Sequence, residues 1–368
     1  MTTAPSLPDQ AADTLAAVPD LSYDRTIDRS LVHRDSLNEV FLTDLRPLPA
    51  GTGPGTPYVA AAQLPRSHAY YGDHLLSPTL HDPILLLEAA RQAALAGSHA
   101  FHGVPRTDKF ILTHLRVHLT RPDRLAVGAA PCPLRLHAAI DNHHHREGRT
   151  TGLDHRIEFR AGDTVIGTAA VGLRFKSADS YRELRLRGRD GRPLPSSADH
   201  EPGAGHSVVD PYLVGRANPE NVVLSDVRTQ GENHLAALRV PGRHPSMFDH
   251  PQDHLPGMVL AEAARQLALR AALETRGMSP SRTVVTDLAV TFTRFGELDS
   301  PSLLTAVVGP DRPAPEPEPH YTQGGVLEPE EPTGSAVGRP VQVRVEATQD
   351  GASLCLFSLT LTRVRTPR

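Results

Sequence analysis

The sequence predicts an α+β protein made of two copies of one domain. The main observation is a repeated segment, which reads ILLLEAARQ at residues 84–92 and MVLAEAARQ at residues 258–266. In each half this segment has the pattern of one long helix, and a run of strand-length apolar segments follows it, which is typical of an α+β fold. The spacing of the copies far exceeds the roughly 20 to 50 residues of stacked repeats, so we interpret the repeat as duplication of a whole domain.

Other landmarks recur in the same order in the two halves. They are Arg34 and Arg216, Asp44 and Asp226, Pro65 and Pro241, His68 and His244, and the pairs Asp73-His74 and Asp249-His250. The length of 368 residues agrees with two domains, because a domain has roughly 150 residues. We assign residues 23–176 to the first domain, the Arg-, Ser- and Pro-rich residues 177–205 to a linker, and residues 206–368 to the second domain.

Apolar patterning places the elements of both domains. In the first, it predicts strands at residues 40–44, 58–64, 110–119, 134–140, 157–159 and 165–175 and the helix at 84–96. Asp82 is a favourable N-cap and Pro83 suits the first helical turn. In the second, it predicts strands at 221–224, 235–240, 284–292, 302–308, 341–347 and 354–362 and the helix at 258–273. We expect disorder in residues 1–22 and in a Pro/Glu-rich loop at about 310–340.

Composition argues against several classes of protein. The net charge of -4 and the pI near 6.6 provide no basic surface for nucleic acid. No apolar stretch is long enough to span a membrane and no signal peptide is apparent, so we expect a cytoplasmic protein without membrane association. Cys132 and Cys355 lie in different halves without metal-ligand spacing, and the consecutive histidines at 143–145 point in different directions. We therefore predict no metal site and no cofactor.

The two central helices each carry one glutamate in an apolar run. A carboxylate at Glu88 or Glu262 must be paired, hydrated by a pocket, or raised in pKa, which makes both residues candidates for a functional site. The alternative is a structural ion pair with Arg91 or Arg265 at helical i,i+3 spacing. A histidine upstream in each copy, His74 or His250, favours the functional interpretation.

This combination resembles the hotdog fold of β-hydroxyacyl carrier-protein dehydratases. The shared pattern is a histidine, then Pro-Gly, then an apolar helix with Glu-Ala and Gln; Pro256-Gly257 supplies the Pro-Gly here, and Asp82-Pro83 takes its place in the first half. The resemblance implies an antiparallel sheet wrapped around each helix, with the N–H groups of the helix N-terminus polarising a thioester carbonyl. Gly257 is then the oxyanion donor, whereas Pro83 has no N–H to offer.

A closer resemblance is to the A-factor biosynthesis hotdog family. It rests on residues 30–34, 39–44, 62–68, 86–92, 244–250 and 262–266. It implies a tandem double hotdog, with two sheets joined edge to edge as an internal pseudo-dimer, present as a monomer or a homodimer. It also implies γ-butyrolactone synthesis: an acyltransferase moves a β-ketoacyl group from acyl carrier protein to the hydroxyl of dihydroxyacetone phosphate, and the ester closes to a butenolide.

The resemblance also implies roles for the site residues. The carried-over catalytic pairs are His74 with Glu262 and His250 with Glu88, in which Glu or His acts as general base on the acceptor hydroxyl. Gln92 and Gln266 support the glutamates. Arg91 and Arg265 stand where dehydratases have a small residue, and a guanidinium there suits a phosphate-bearing acceptor. We expect the site served by Gly257 to be the active one, with Glu262→Gln abolishing turnover at little loss of stability and Glu88→Gln milder.

Two rival functions remain open at this stage. A dehydratase or thioesterase would use the same pocket on acyl thioesters without any triose phosphate. A non-catalytic acyl-binding or regulatory module would keep the buried glutamates as structural ion pairs only.

Overall fold

A computed structural model describes residues 19–48, 55–200, 207–309 and 340–364. Nearly all of the expected disordered tail and of the Pro/Glu-rich loop lies outside these residues. We call residues 19–176 the first half and residues 207–364 the second half. Within the described part of the chain, no helix is both long enough and apolar enough to cross a membrane.

Among the described residues, each half contains one long helix and six strands. The first half contains β1 (Leu42–Pro47), β2 (Tyr58–Leu64), α1 (Pro83–Phe101), β3 (Lys109–Leu119), β4 (Cys132–Arg146), β5 (Arg149–Ala161) and β6 (Thr164–Lys176). After α2 (Ala178–Gly188), the second half contains β7 (Leu224–Gln230), β8 (Asn233–Leu238), α3 (Gly257–Arg276), β9 (Thr283–Phe292), β10 (Ser302–Val308), β11 (Val341–Gln349) and β12 (Ala352–Arg363). The predicted α+β class and the duplication of the elements are both observed.

The described strands form one antiparallel sheet across both halves. Its order is β1-β2-β4-β5-β6-β3-β9-β12-β11-β10-β8-β7, so the second half repeats the first in reverse about the β3–β9 junction. At this junction Leu115 pairs with Val290 and Val117 with Leu288. Asp287 of β9 also accepts a hydrogen bond from Arg116 of β3 at 3.0 Å. The predicted edge-to-edge pseudo-dimer is therefore confirmed.

The two long helices lie in the core and are covered by the sheet. Nearly every residue of α1 from Pro83 to Ser98 is buried, and so are most residues of α3 from Val259 to Ala272. Both helices are apolar on most of their surface, as expected for helices enclosed by a sheet. Glu88 and Glu262 are each fully buried in the middle of these helices.

The connection between the halves contains a helix that the sequence analysis did not predict. Arg185 of α2 is buried and donates to Glu297 at 2.7 and 2.9 Å, while Arg189 donates to Asp299 at 3.0 and 2.6 Å. These ion pairs fix α2 to the second half. The segment is charged and has no regular spacing of apolar residues, so its sequence predicts a loop. The carboxylates that stabilise the helix, Glu297 and Asp299, come more than 100 residues later in the chain.

Candidate active site

A cavity of about 170 Å³ lies between the two halves, at the N-terminus of α3. Its wall includes Arg34, Tyr71 and Arg91 from the first half and His250, Gly257 and Met258 from the second. We call this cavity the open site. The duplication relates the open site to a second position at the N-terminus of α1. This position is formed by Arg216, Arg265 and His74, and we call it the closed site because the protein's own side chains occupy it.

Behind the wall of the open site, Glu88 binds two arginines. Arg34 Nη2 donates to Oε1 at 2.7 Å, and Arg91 donates through Nε and Nη2, both at 2.8 Å. Burial raises the pKa of Glu88, but the charges of Arg34 and Arg91 outweigh it and lower the pKa to about 2. The carboxylate is therefore ionised and a weak proton acceptor. Its function in this geometry is to hold two guanidinium groups at the cavity wall.

Glu262 has the same surroundings in the closed site. Arg216 donates to Glu262 Oε1 through Nε at 3.0 Å, and Arg265 Nη2 donates to Oε2. The i,i+3 ion pair that the sequence analysis weighed as the structural alternative is thus present in both helices. It does not separate a structural from a functional site, because both halves contain it.

The two glutamines fix the glutamates to the chain segments ahead of the first strand of each half. Gln92 Nε2 donates to Glu88 Oε1 at 2.9 Å and to the Glu39 carbonyl at 2.7 Å. Gln266 Nε2 donates to Glu262 at 2.6 Å and to the Asn221 carbonyl at 2.8 Å. Each glutamine therefore links a buried glutamate to the backbone of its own half.

The closed site differs because its arginines are bound internally. Arg265 Nη1 donates to both carboxylate oxygens of Asp82 at 2.8 Å. Arg216 Nη1 donates to the carbonyls of Tyr70 and Asp73 at 2.6 and 2.8 Å. Asp82 and Glu262 already neutralise this buried guanidinium, so the geometry does not favour the phosphate-binding role predicted for Arg265. Arg91 lines the open cavity and remains a candidate.

His250 lies on the open site. Its Nδ1 is 3.3 Å from Asp249 Oδ2, and Gln252 Nε2 contacts its Nε2. The amide nitrogen of Gln252 can only donate, so Nε2 carries the lone pair and Nδ1 the proton. Burial lowers the pKa of His250 despite the opposing hydrogen bond from Asp249, which keeps the ring neutral near pH 7. A neutral imidazole can accept a proton from a substrate through the Nε2 lone pair once the Gln252 amide moves away from it.

Asp249 fixes the His250 loop to the opposite half. Its carboxylate accepts hydrogen bonds from the backbone N–H groups of Asp35 at 2.6 Å and Ser36 at 2.9 Å. Asp73 repeats the contact in reverse, accepting from the N–H groups of Ala217 and Asn218 at 3.2 and 3.1 Å. Each histidine loop is therefore placed by the other half, as the carried-over cross-domain pairs require.

His74 lies in the closed site. Burial lowers its pKa, and the charged groups acting on it are Asp82, Arg265 and Arg216. It is not among the residues that line the open cavity. The two histidines therefore occupy related positions, but His250 faces a cavity and His74 faces the Asp82–Arg265 ion pair.

Gly257 begins α3 and lines the open site. A Cβ at this position would lie 2.8 Å from Leu112 Cδ2 and 2.9 Å from Phe292 Cζ, so a larger residue would crowd the cavity. Pro83 begins α1 and has no N–H. Gly257 shares the open cavity with Arg34 and Arg91, and both arginines bind Glu88. Glu262 binds Arg216 of the closed site, so the geometry favours Glu88 rather than the predicted Glu262 as the glutamate that acts with Gly257.

Comparison with known proteins decides the family. The sequence matches the A-factor biosynthesis hotdog domain (AfsA) over residues 15–177 and 198–320. The chain belongs to this family. It is 36% identical to a 2-oxo-3-(phosphooxy)propyl 3-oxoalkanoate synthase of Streptomyces virginiae over 287 residues, which are 76% of this chain and 87% of that protein. A protein of the same name in Streptomyces griseus is 34% identical over 261 residues, 69% of this chain and 77% of that protein.

Solved structures give a weaker likeness. A putative oleoyl thioesterase from Lactobacillus plantarum aligns over 85% of this chain and 98% of its own with a TM-score of 0.48 and 9% identity. The family match and the observed sheet with its two enclosed helices confirm the predicted tandem hotdog.

Sequence reasoning missed two site residues of this A-factor family member. Arg34 was noted only as a repeated landmark, yet its side chain is 8% exposed and binds Glu88 at the cavity wall. Tyr71, which follows the repeated His68 within a few residues, lines the cavity beside it. The recurrence of Arg34 as Arg216 was the available signal, since a repeated arginine upstream of a repeated buried glutamate points to an ion pair.

Proposed function

We propose that this chain transfers a β-ketoacyl group from an acyl carrier protein to the hydroxyl of dihydroxyacetone phosphate, and that the product ester closes to a butenolide phosphate. The relatives are named for an ester of a 3-oxoalkanoate with a 2-oxo-3-(phosphooxy)propyl group, which is the ester such a transfer gives. The structural observation that supports the proposal is the composition of the open site. Its wall contains two arginines, Arg34 and Arg91, together with His250 and the N-terminus of α3.

His250 is the general base in this proposal. Its Nε2 takes the proton from the acceptor hydroxyl as the hydroxyl oxygen attacks the thioester carbonyl. A C–O bond forms, the C–S bond breaks, and the protonated His250 returns the proton to the leaving thiolate. The Gln252 amide, which contacts Nε2, gives way to the substrate hydroxyl.

The Gly257 N–H is the oxyanion donor. A helix N-terminus carries unpaired N–H groups and a partial positive charge, both of which favour the negative charge that develops on the thioester oxygen. Removing one such donor typically costs about 3 to 4 kcal/mol of transition-state stabilisation. Pro83 removes this donor from α1, which supports the open site as the catalytic one.

The acyl chain lies in the adjoining apolar space. A second cavity of about 140 Å³ shares Leu112 and Gly257 with the open site and continues along Leu255, Leu260 and Phe292. These side chains can bury a hydrocarbon chain while the thioester carbonyl stays at Gly257.

Ring closure follows from the product itself. The ester carries an acidic methylene between two carbonyls and, in the same molecule, the ketone of the acceptor. Attack of the methylene carbon on that ketone and loss of water give the butenolide phosphate. The transfer step therefore supplies everything that the closure needs except proton transfers.

The acceptor should need its phosphate. With β-ketoacyl carrier protein as donor, we expect kcat/KM for dihydroxyacetone to be at least about 100-fold below that for dihydroxyacetone phosphate, because hydrogen bonds between charged groups each contribute about 1.5 to 3 kcal/mol. Mass spectrometry of the products measures both. If both acceptors react equally well, Arg91 does not bind the phosphate of the acceptor. If hydrolysis of the thioester is the only reaction, the chain is a thioesterase.

Two arginine variants provide the matched control. Arg91→Gln should reduce the preference for the phosphorylated acceptor, since Arg91 lines the open cavity. Arg265→Gln should leave that preference unchanged, because Asp82 and Glu262 occupy its guanidinium. A lost preference in Arg265→Gln alone would assign the phosphate to the other half.

A further inference from the structure

Asp82 and Pro256 occupy the same position at the start of the two long helices. Asp82 is the N-cap of α1 with φ -63° and ψ 128°, and Pro256 is the N-cap of α3 with φ -63° and ψ 138°. The two backbones are therefore nearly identical at this position. At this position the two sites differ in the side chain: the closed site has the carboxylate of Asp82, and the open site has the ring of Pro256.

In the closed site the Asp82 carboxylate binds like an anionic ligand. One oxygen accepts the Ile84 N–H of α1 at 2.8 Å, and both oxygens accept Arg265 Nη1 at 2.8 Å. Asp82 is 1% exposed, so this ion pair is sealed from solvent. A helix N-terminus and an arginine from the opposite half together hold one negative group.

The open site has the corresponding helix N–H and arginine, but it has no carboxylate in the place of Asp82. Met258 is the counterpart of Ile84, and Arg91 is the counterpart of Arg265. Pro256 gives α3 no side-chain cap. Arg34, 8% exposed and part of the cavity wall, has a buried Nε with no hydrogen-bond partner among the described residues.

The charges of the two sites differ accordingly. In the closed site, Arg216 and Arg265 face the carboxylates of Glu262 and Asp82. In the open site, Arg34 and Arg91 both bind Glu88. The buried Glu39 carboxylate also acts on Arg34, although its hydrogen bond comes from Ser246. Asp249 and its counterpart Asp73 bind backbone N–H groups in both halves, so they do not alter the comparison. Among the described residues, Arg91 thus has one carboxylate partner where its counterpart Arg265 has two.

We propose that the phosphate of the acceptor substrate takes, in the open site, the position that Asp82 takes in the closed site. It lies between the Met258 N–H and Arg91, with Arg34 as a further donor. This inference rests on the proposed function and adds to it the place and the number of phosphate sites. The Gly257 N–H has no counterpart in α1 and stays available to the thioester carbonyl. Because Asp82 fills the related position, each chain binds one phosphate.

Pro256→Asp is the decisive variant. The new carboxylate stands in the backbone conformation of Asp82, so it should cap Met258 and pair with Arg91 from within the chain. We expect binding of inorganic phosphate and of dihydroxyacetone phosphate, measured by isothermal titration calorimetry, to weaken at least about 100-fold. The melting temperature should be no lower than that of the wild type, since a helix cap and an ion pair are added.

Pro256→Asn is the matched control. Asparagine can cap Met258 with the same shape but carries no charge, so phosphate binding should weaken by less than about 10-fold.

Two results would overturn the inference. One is phosphate binding by Pro256→Asp at wild-type affinity; the other is a Pro256→Asn variant as impaired as Pro256→Asp. If Pro256→Asp instead loses binding of a β-ketoacyl pantetheine thioester while still binding phosphate, the position belongs to the thioester oxygen. Phosphate binding is measured without turnover, so failure of acyl transfer in the wild type would refute the proposed function separately.

Discussion

Glu88→Gln is expected to lower the rate of acyl transfer at least about 100-fold, whereas Glu262→Gln should retain most of it. Glu88 holds Arg34 and Arg91 at the wall of the open site through hydrogen bonds of 2.7 to 2.8 Å. A neutral amide cannot bind two guanidinium groups as strongly, so both lose their position at the cavity. Single-turnover rates with β-ketoacyl carrier protein and dihydroxyacetone phosphate measure the effect.

Both glutamate variants should also lose stability. Removing one partner of a buried ion pair typically costs about 3 to 5 kcal/mol because it leaves charge uncompensated. The sequence-based expectation of little stability loss in Glu262→Gln is therefore reversed, since Arg216 and Arg265 would both lose their carboxylate. Glu262→Gln is the control for Glu88→Gln: similar melting temperatures with unequal rates would separate catalysis from folding, and a larger rate loss in Glu262→Gln would place the active site in the other half.

His250→Gln is expected to reduce kcat by about 100- to 10,000-fold, the usual contribution of a positioned general base. The substitution keeps a side chain of similar reach but removes the proton acceptor. Dihydroxyacetone phosphate should still bind, because the arginines of the open site are unchanged. Comparing kcat with the dissociation constant of the acceptor tests both parts of this expectation.

The pH profile gives a second test of the same residue. Burial lowers the pKa of His250 from its ordinary value of 6.5, so the ring is neutral and able to accept a proton throughout the neutral range. We expect kcat/KM to be level near pH 7 and to fall only at pH values below 6.5, where His250 becomes protonated. His74→Gln should leave this acid limb unchanged; a limb that disappears with His74→Gln rather than His250→Gln would identify His74 as the base.

The sequence predicted much of the fold because the signals were local and present twice. The apolar runs around Glu88 and Glu262 define both helices, and the Asp82-Pro83 pair marks where α1 begins. The Glu-to-Arg pairs at i,i+3 spacing follow from helix geometry alone. The helix α2 was missed because its stability comes from buried contacts of Arg185 and Arg189 with the second half rather than from an apolar face.

The sequence by itself thus determined the duplication, the two enclosed helices, the family and the set of residues around each glutamate. Only the tertiary structure decided which of the two sites is open. The same motif of Glu, Arg and Gln occurs in both halves, and Asp82 reads locally as a helix cap, which it is. Its second contact, across the interface to Arg265, joins residues far apart in the chain. That contact fills the closed site with the protein's own charge, and the cavity of the open site is the one that we propose to bind the substrate.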